Sequence, residues 1–93
     1  MNEKLSVMEN RMLGNFQKRM IVEVVGHRDE KVVQWPDLAV SDLLEKAEYH
    51  LYKAKIAYLA ERFGEAKKHF AHTANLLAMT YDNLSRIEER RSP

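Results

Sequence analysis

The apolar positions of this chain fall into helical periods along most of its length, most regularly over residues 42–90. In the second part of that stretch Phe70, Thr73, Leu77, Thr80, Leu84 and Ile87 recur at alternating steps of three and four. That spacing places them on one face of an α-helix. Ala66, Ala74 and Tyr81 widen the stripe, while Lys68, Asn75, Asp82, Arg86 and Glu89 fall on the other side. An arc this broad predicts contact with at least two neighbours.

The preceding helix carries two stripes. One is Leu44, Ala47, Leu51, Ala54 and Tyr58; the other is Tyr49, Tyr52, Ile56, Leu59 and Phe63. Their centres lie about 140° apart at 100° per residue, so this helix is packed from two sides. Asp42 followed by Glu45 has the spacing of a capping box, with Ser41 as a competing N-cap. Phe63-Gly64-Glu65 breaks the period, and Gly64 suits the left-handed position that ends a helix. A connection so short makes the two arms antiparallel neighbours.

Before the hairpin the pattern is helical but uneven. Leu5, Met8 and Met12 make one stripe and Leu13, Phe16, Met20 and Val24 another, with Gly14 inside as a place to bend or break. The β-branched run over residues 20–25 reads as helix, because a lone strand would have no partner. Gly26 offers a C-cap, residues 27–36 read as a loop with an extended piece at Val32-Val33, and Trp35 is held extended by Pro36. The expected architecture is all-α: a small helical bundle built on a long antiparallel helical hairpin. It forms one domain over residues 1–93, with a helix near 3–25, a loop over 26–40, the hairpin over 41–90 and a disordered tail at 91–93. The arms of the hairpin are expected near 41–62 and 65–89. A tetratricopeptide-like turn at Tyr58, Phe63-Gly64-Glu65-Ala66 and Phe70 occurs once, too few for a solenoid.

Composition narrows the partners. A net charge of +1 gives no field for duplex DNA. The absence of cysteine excludes disulfides, thiolate metal sites and cysteine nucleophiles, and fits a cytoplasmic setting. No apolar run reaches the length of a membrane span, and the polar start Met1-Asn2-Glu3-Lys4 is not that of a signal peptide. A core this small makes a homo-oligomer, a dimer first, the expected state.

Taken in order, Phe16-Gln17-Lys18-Arg19-Met20, a loop ending in Trp35, Leu43-Leu44 opening a long helix, and residues 74–83 (Ala-Asn, an apolar stretch, Asp-Asn) resemble the MazG-like all-α nucleotide pyrophosphohydrolases. The short, phage-type members are the nearer match, over residues 16–84. The resemblance implies cleavage of nucleoside triphosphates to monophosphate and pyrophosphate, with Mg²⁺ held by an E-x-x-E pair on one helix and an E-x-x-D pair on the next. Carboxylates three apart share a helix face, and their hard oxygens suit Mg²⁺, which clamps the phosphates. In the family register those pairs fall on His50 with Lys53 and on His69 with His72, none of them a carboxylate. A register shifted to Glu45 and Glu48 finds no facing pair. The family fold is therefore expected without its Mg²⁺ chemistry. The hairpin also resembles HEPN-type bundles, through Leu44-Glu45-Lys46-Ala47-Glu48 and Ala66-Lys67-Lys68-His69, but the arginine and histidine pair of their ribonucleases is missing.

Candidate residues follow from these patterns. With the arms packed in the family register, His50, His69 and His72 converge, as ligands for Zn²⁺ or Ni²⁺ or as boundary histidines with ordinary hydrogen bonds. No other cofactor is expected, and Mg²⁺ only if hydrolysis persists. Lys53, with Lys55, Lys67 and Lys68, is a candidate for phosphate or a solvated face. Asn75 and Asp82, two turns apart, would hold a ribose or base, or lie on a wet face. Trp35 either plugs the bundle or stacks on a nucleobase. Tyr49, Tyr52, Ile56 and Leu59 lie away from the second arm and are the expected subunit interface. The function expected is that of a noncatalytic helical interaction protein, of the phage accessory or inhibitory kind, docking a protein or a nucleotide. The alternative is a divergent metal-dependent pyrophosphohydrolase using the histidines or carboxylates such as Glu61, Glu65 and Asp82 from a second subunit. A purely structural helical oligomer is the third.

Overall fold

A computed structural model describes residues 4–26 and 35–91. Three helices make up the described fold: α1 (Val7–Gly26), α2 (Val40–Leu59) and α3 (Phe63–Arg91). Among the described residues there is no strand, so the all-α expectation holds, and residues 20–25 are helical. Helices α2 and α3 form the antiparallel hairpin, and α1 packs antiparallel to α3. The expected extended piece at Val32-Val33 lies outside the described residues. Arg91, expected in the tail, is the last residue of α3, and Gly26 and Val40 belong to helices rather than to the loop.

Helix boundaries follow local chemistry that differs from the expected signals. Helix α1 starts at Val7, not near residue 3, because Ser6 and Glu9 form a reciprocal capping box. The Ser6 amide donates to Glu9 Oε1 at 2.9 Å and the Glu9 amide to Ser6 Oγ at 3.0 Å. It runs through Gly14 unbroken. The end of α2 is a Schellman motif: the Arg62 amide donates to the Ala57 carbonyl at 2.8 Å and the Glu61 amide to the Tyr58 carbonyl at 3.0 Å. The left-handed residue is therefore Glu61, at φ 59°, and not Gly64, which sits in the first turn of α3 with no positive φ.

The start of α2 is also corrected. Its N-cap is Ala39, with no side-chain cap, so Ser41 and Asp42 both lie inside the helix. A 3₁₀ turn at residues 35–37 leads in, and α3 clamps that turn. Asn83 Nδ2 donates to the Trp35 carbonyl at 2.8 Å and to the Leu38 carbonyl at 3.1 Å. The Trp35 indole N–H donates to Asp82 Oδ2 at 3.0 Å. Fixing the turn from across the bundle replaces the local cap.

The buried faces are those of the small residues. Helix α2 buries Leu43, Ala47, Ala54 and Ala57, and α3 buries Ala66, Ala71, Thr73, Asn75, Leu76, Thr80 and Asn83. Alanine rows let the helices approach closely. Thr73 and Thr80 satisfy their hydroxyls by donating to the carbonyls of His69 (2.9 Å) and Leu76 (2.7 Å), so their burial leaves no unmet donor. Trp35, Leu38 and Met79 close over Leu43, Ala47 and Leu76. The large members of the expected stripes lie outside instead: Phe70, Leu77, Tyr81 and Leu84 on α3, and Leu44, Leu51 and Tyr58 on α2, are all exposed. The packing face of α3 is turned by about one residue from the one the large side chains suggest.

The consequence is a thin, open molecule. Its radius of gyration is 15.3 Å, against about 12 Å for a compact chain of this length. Every residue from 4 to 13 is exposed, so the first half of α1 is an arm left uncovered by the other described residues.

Candidate functional site

Where α1, α2 and α3 meet, three histidines stack. His50 comes from the buried stripe of α2, in register with Ala47 and Ala54, and His69 and His72 come from the facing side of α3 one turn apart. The Nδ1 atoms of His50 and His69 are 3.1 Å apart, a hydrogen bond in which one ring donates and the other accepts. The rings of His50 and His69 stack at 5.3 Å and 29°, those of His50 and His72 at 4.9 Å and 25°. The expected convergence of the three imidazoles is therefore present. It is a stack, with ring faces together, and among the described residues no group of three or more His, Cys, Asp or Glu side chains is placed to hold a metal ion.

Helix α1 supplies the charge at this cluster. Glu23 is 8% exposed, with Oε1 3.3 Å from His72 Nε2 and Oε2 2.8 Å from Arg19 Nε. Burial pushes its carboxyl pKa up, but the Arg19 hydrogen bond and the charges of His72, Arg19 and Lys68 together hold it below the ordinary value of 4.5. His69 is pushed below its ordinary 6.5, first by burial, then by Lys53 and Lys68, against an upward pull from Glu65 and Glu23. One more contact fastens α1 here: Asn75 Nδ2 donates to the Met20 carbonyl at 3.0 Å.

The other candidates are not gathered into one pocket. Lys53 lies over the Tyr49 ring, its Nζ 4.7 Å from the centroid. Asn75 is buried as the clamp on α1, not exposed on a wet face. Asp82 accepts from the Trp35 indole and pairs with Arg86 at 2.9 Å. Trp35 plugs the bundle end, as the first of its two readings has it. Tyr49, Tyr52, Ile56 and Leu59 form an exposed ridge along α2. Glu45 and Glu48 are exposed on α2.

Sequence reasoning passed over Glu23, the carboxylate that pairs with His72 at the cluster. Its signal was an acidic residue four after Arg19 inside the apolar run of residues 20–25, where a charge needs a partner to be buried. It also passed over Asn83, the turn clamp, whose Oδ1 is buried with no hydrogen-bond partner among the described residues.

No family model matches this chain, and neither does any curated protein or solved structure. No helix among the described residues is long and apolar enough to cross a membrane.

Proposed function

We propose that this chain is a noncatalytic, self-associating helical interaction protein on a MazG-like scaffold, acting in the cytoplasm. In this reading it is a small accessory or inhibitory protein of the phage type that docks a protein or a nucleotide. The observation that carries it is the inversion of the apolar pattern. Alanine, threonine and asparagine, with Leu43 and Leu76, fill the interior, while many large apolar side chains stay exposed on all three helices. Association would cover those exposed side chains. A dimer is the simplest closed form.

The chemistry at the three-helix junction favours the same reading. Where the family resemblance calls for carboxylates, a stack of imidazoles offers no set of oxygens for Mg²⁺, and Lys53 beside it repels a cation. The second reading, a divergent pyrophosphohydrolase, draws on Glu23, a buried and ionised carboxylate beside His72. One carboxylate falls short of the two pairs that reaction uses. Pyrophosphate release across the common nucleoside triphosphates with Mg²⁺, Mn²⁺ and Zn²⁺ tests the choice. The interaction reading expects no turnover; metal-dependent turnover abolished by Glu23→Gln would establish the second.

A further inference from the structure

Alongside the contact between Glu23 and His72, helices α1 and α3 border an open cleft of about 840 Å³. Phe16 and Val22 line it from α1, and Phe70 and Leu77, two turns apart, line it from α3. These four side chains are between 41% and 61% exposed. Lys18 and Lys67 stand on opposite walls, and neither forms an ion pair with a described residue. No carboxylate lines the cleft among the described residues. Glu23 on α1 is buried and turned instead to Arg19 and His72.

We propose that this cleft seats one amphipathic helix of a partner protein, its apolar face on the floor and acidic residues along both flanks of that face. The inference rests on the interaction-protein reading above and gives the partner its chemistry. Charge complementarity selects the sign. Charged groups of one sign around an apolar, low-dielectric floor concentrate positive potential in the cleft. Acidic flanks then meet Lys18 on one wall and Lys67 on the other. Shape selects the helix. A floor about half exposed is too open for a small ligand, whose sites bury roughly 70–90% of its surface. Two helical walls of about two turns instead suit a third helix laid between them, held by apolar anchors at i, i+3, i+4 and i+7.

A second copy of this chain lacks the required sign on its exposed apolar faces of α1 and α2. Glu9 and Arg11 flank Met8 and Met12 on α1, and Glu48 is offset by Lys53 and Lys55 around Tyr52 and Ile56 on α2. Flanks of mixed charge gain little from two facing lysines.

Two labelled synthetic helices of about 18 residues test this by fluorescence anisotropy, one with a leucine stripe flanked by glutamate and one with the same stripe flanked by lysine. The wild-type chain should bind the glutamate-flanked helix, less tightly as salt is raised. It should bind the lysine-flanked helix about tenfold or more weakly. Lys18→Glu with Lys67→Glu changes only exposed side chains and should invert that preference. Binding of neither helix, or equal binding of both, would overturn the proposal. So would a Phe70→Asp chain with half the light-scattering mass of wild type, which would give the cleft to a second copy. Binding of anionic phospholipid vesicles that the Lys18→Glu, Lys67→Glu chain loses, with neither helix bound, would overturn it in favour of a membrane surface. Self-association is judged separately. A wild-type chain of 10.9 kDa by light scattering that binds the glutamate-flanked helix loses the dimer and keeps the cleft. A dimer that binds neither helix loses the cleft alone.

Discussion

His50 and His69 face each other with their Nδ1 atoms 3.1 Å apart, so the hydrogen bond between α2 and α3 at this point requires one of the two nitrogens to be unprotonated. Protonating both rings turns an attraction into a repulsion, next to a third imidazole, His72, and beneath Lys53 and Lys68. The hairpin is thus held at its middle by a contact that depends on the protonation of its imidazoles.

The pH dependence of stability follows with a definite sign. His69 has a folded pKa below its ordinary 6.5, so its contribution is complete above about pH 6.5 and is lost as pH falls through the folded value. Glu23, lowered from 4.5, adds a second loss at more acid pH, as it protonates and releases Arg19 and His72. Glu65 and Glu23 oppose the first loss and Lys53 and Lys68 reinforce it, with the lowered pKa recording the balance. Denaturant midpoints between pH 8 and pH 3 should fall in these two stages. His69→Gln should flatten the first stage and leave the second.

The turn between α2 and α3 predicts opposite substitutions, both stabilising, at two positions three residues apart. Glu61 holds a left-handed conformation that costs a non-glycine residue of order 1 kcal/mol, so Glu61→Gly should stabilise the protein by about that much. Gly64 is helical, and a Cβ there would meet nothing within 4 Å. Gly64→Ala should therefore stabilise by about 0.5 kcal/mol. Urea midpoints of the two variants check both, and a loss of stability in Gly64→Ala would return the left-handed position to Gly64.

That turn also shows what the sequence could and could not reveal. Helices and their order were legible, since steps of three and four survive whichever residues are buried. Faces were legible in part: Ala47, Ala54, Thr73 and Thr80 of the expected stripes are inside, but their large neighbours Leu51, Phe70 and Leu77 are out and Ala57 and Leu76 are in, because the packing face lies toward the small side chains. Glycine is the usual left-handed residue, so Gly64 drew the turn three residues away from Glu61. Ser6 and Glu9 carried a readable capping box. His50, His69 and His72 were legible as a cluster, since an antiparallel hairpin of this register brings them together. Glu23 was not, because its place depends on where α1 docks, and no local pattern encodes that.

Asn83 should matter beyond its size. Its two hydrogen bonds hold the Trp35 turn against α3, and losing them removes that donor from the Leu38 carbonyl and leaves the Trp35 carbonyl with the Leu38 amide. Asn83→Ala should cost about 1–3 kcal/mol. Trp35 is the only tryptophan, so its emission should shift to the red as the indole leaves the bundle end. Unchanged emission with unchanged stability would show that the clamp contributes nothing.

The account turns on association completing the fold, and the melting temperature as a function of protomer concentration measures that most directly. A chain whose folded form is a dimer gains stability by mass action, so its melting temperature rises steadily as concentration increases from about 1 to 100 µM. That rise, with a mass of twice 10.9 kDa by light scattering, is the predicted result. A melting temperature independent of concentration, in a chain that is fully helical at 10.9 kDa, would contradict it.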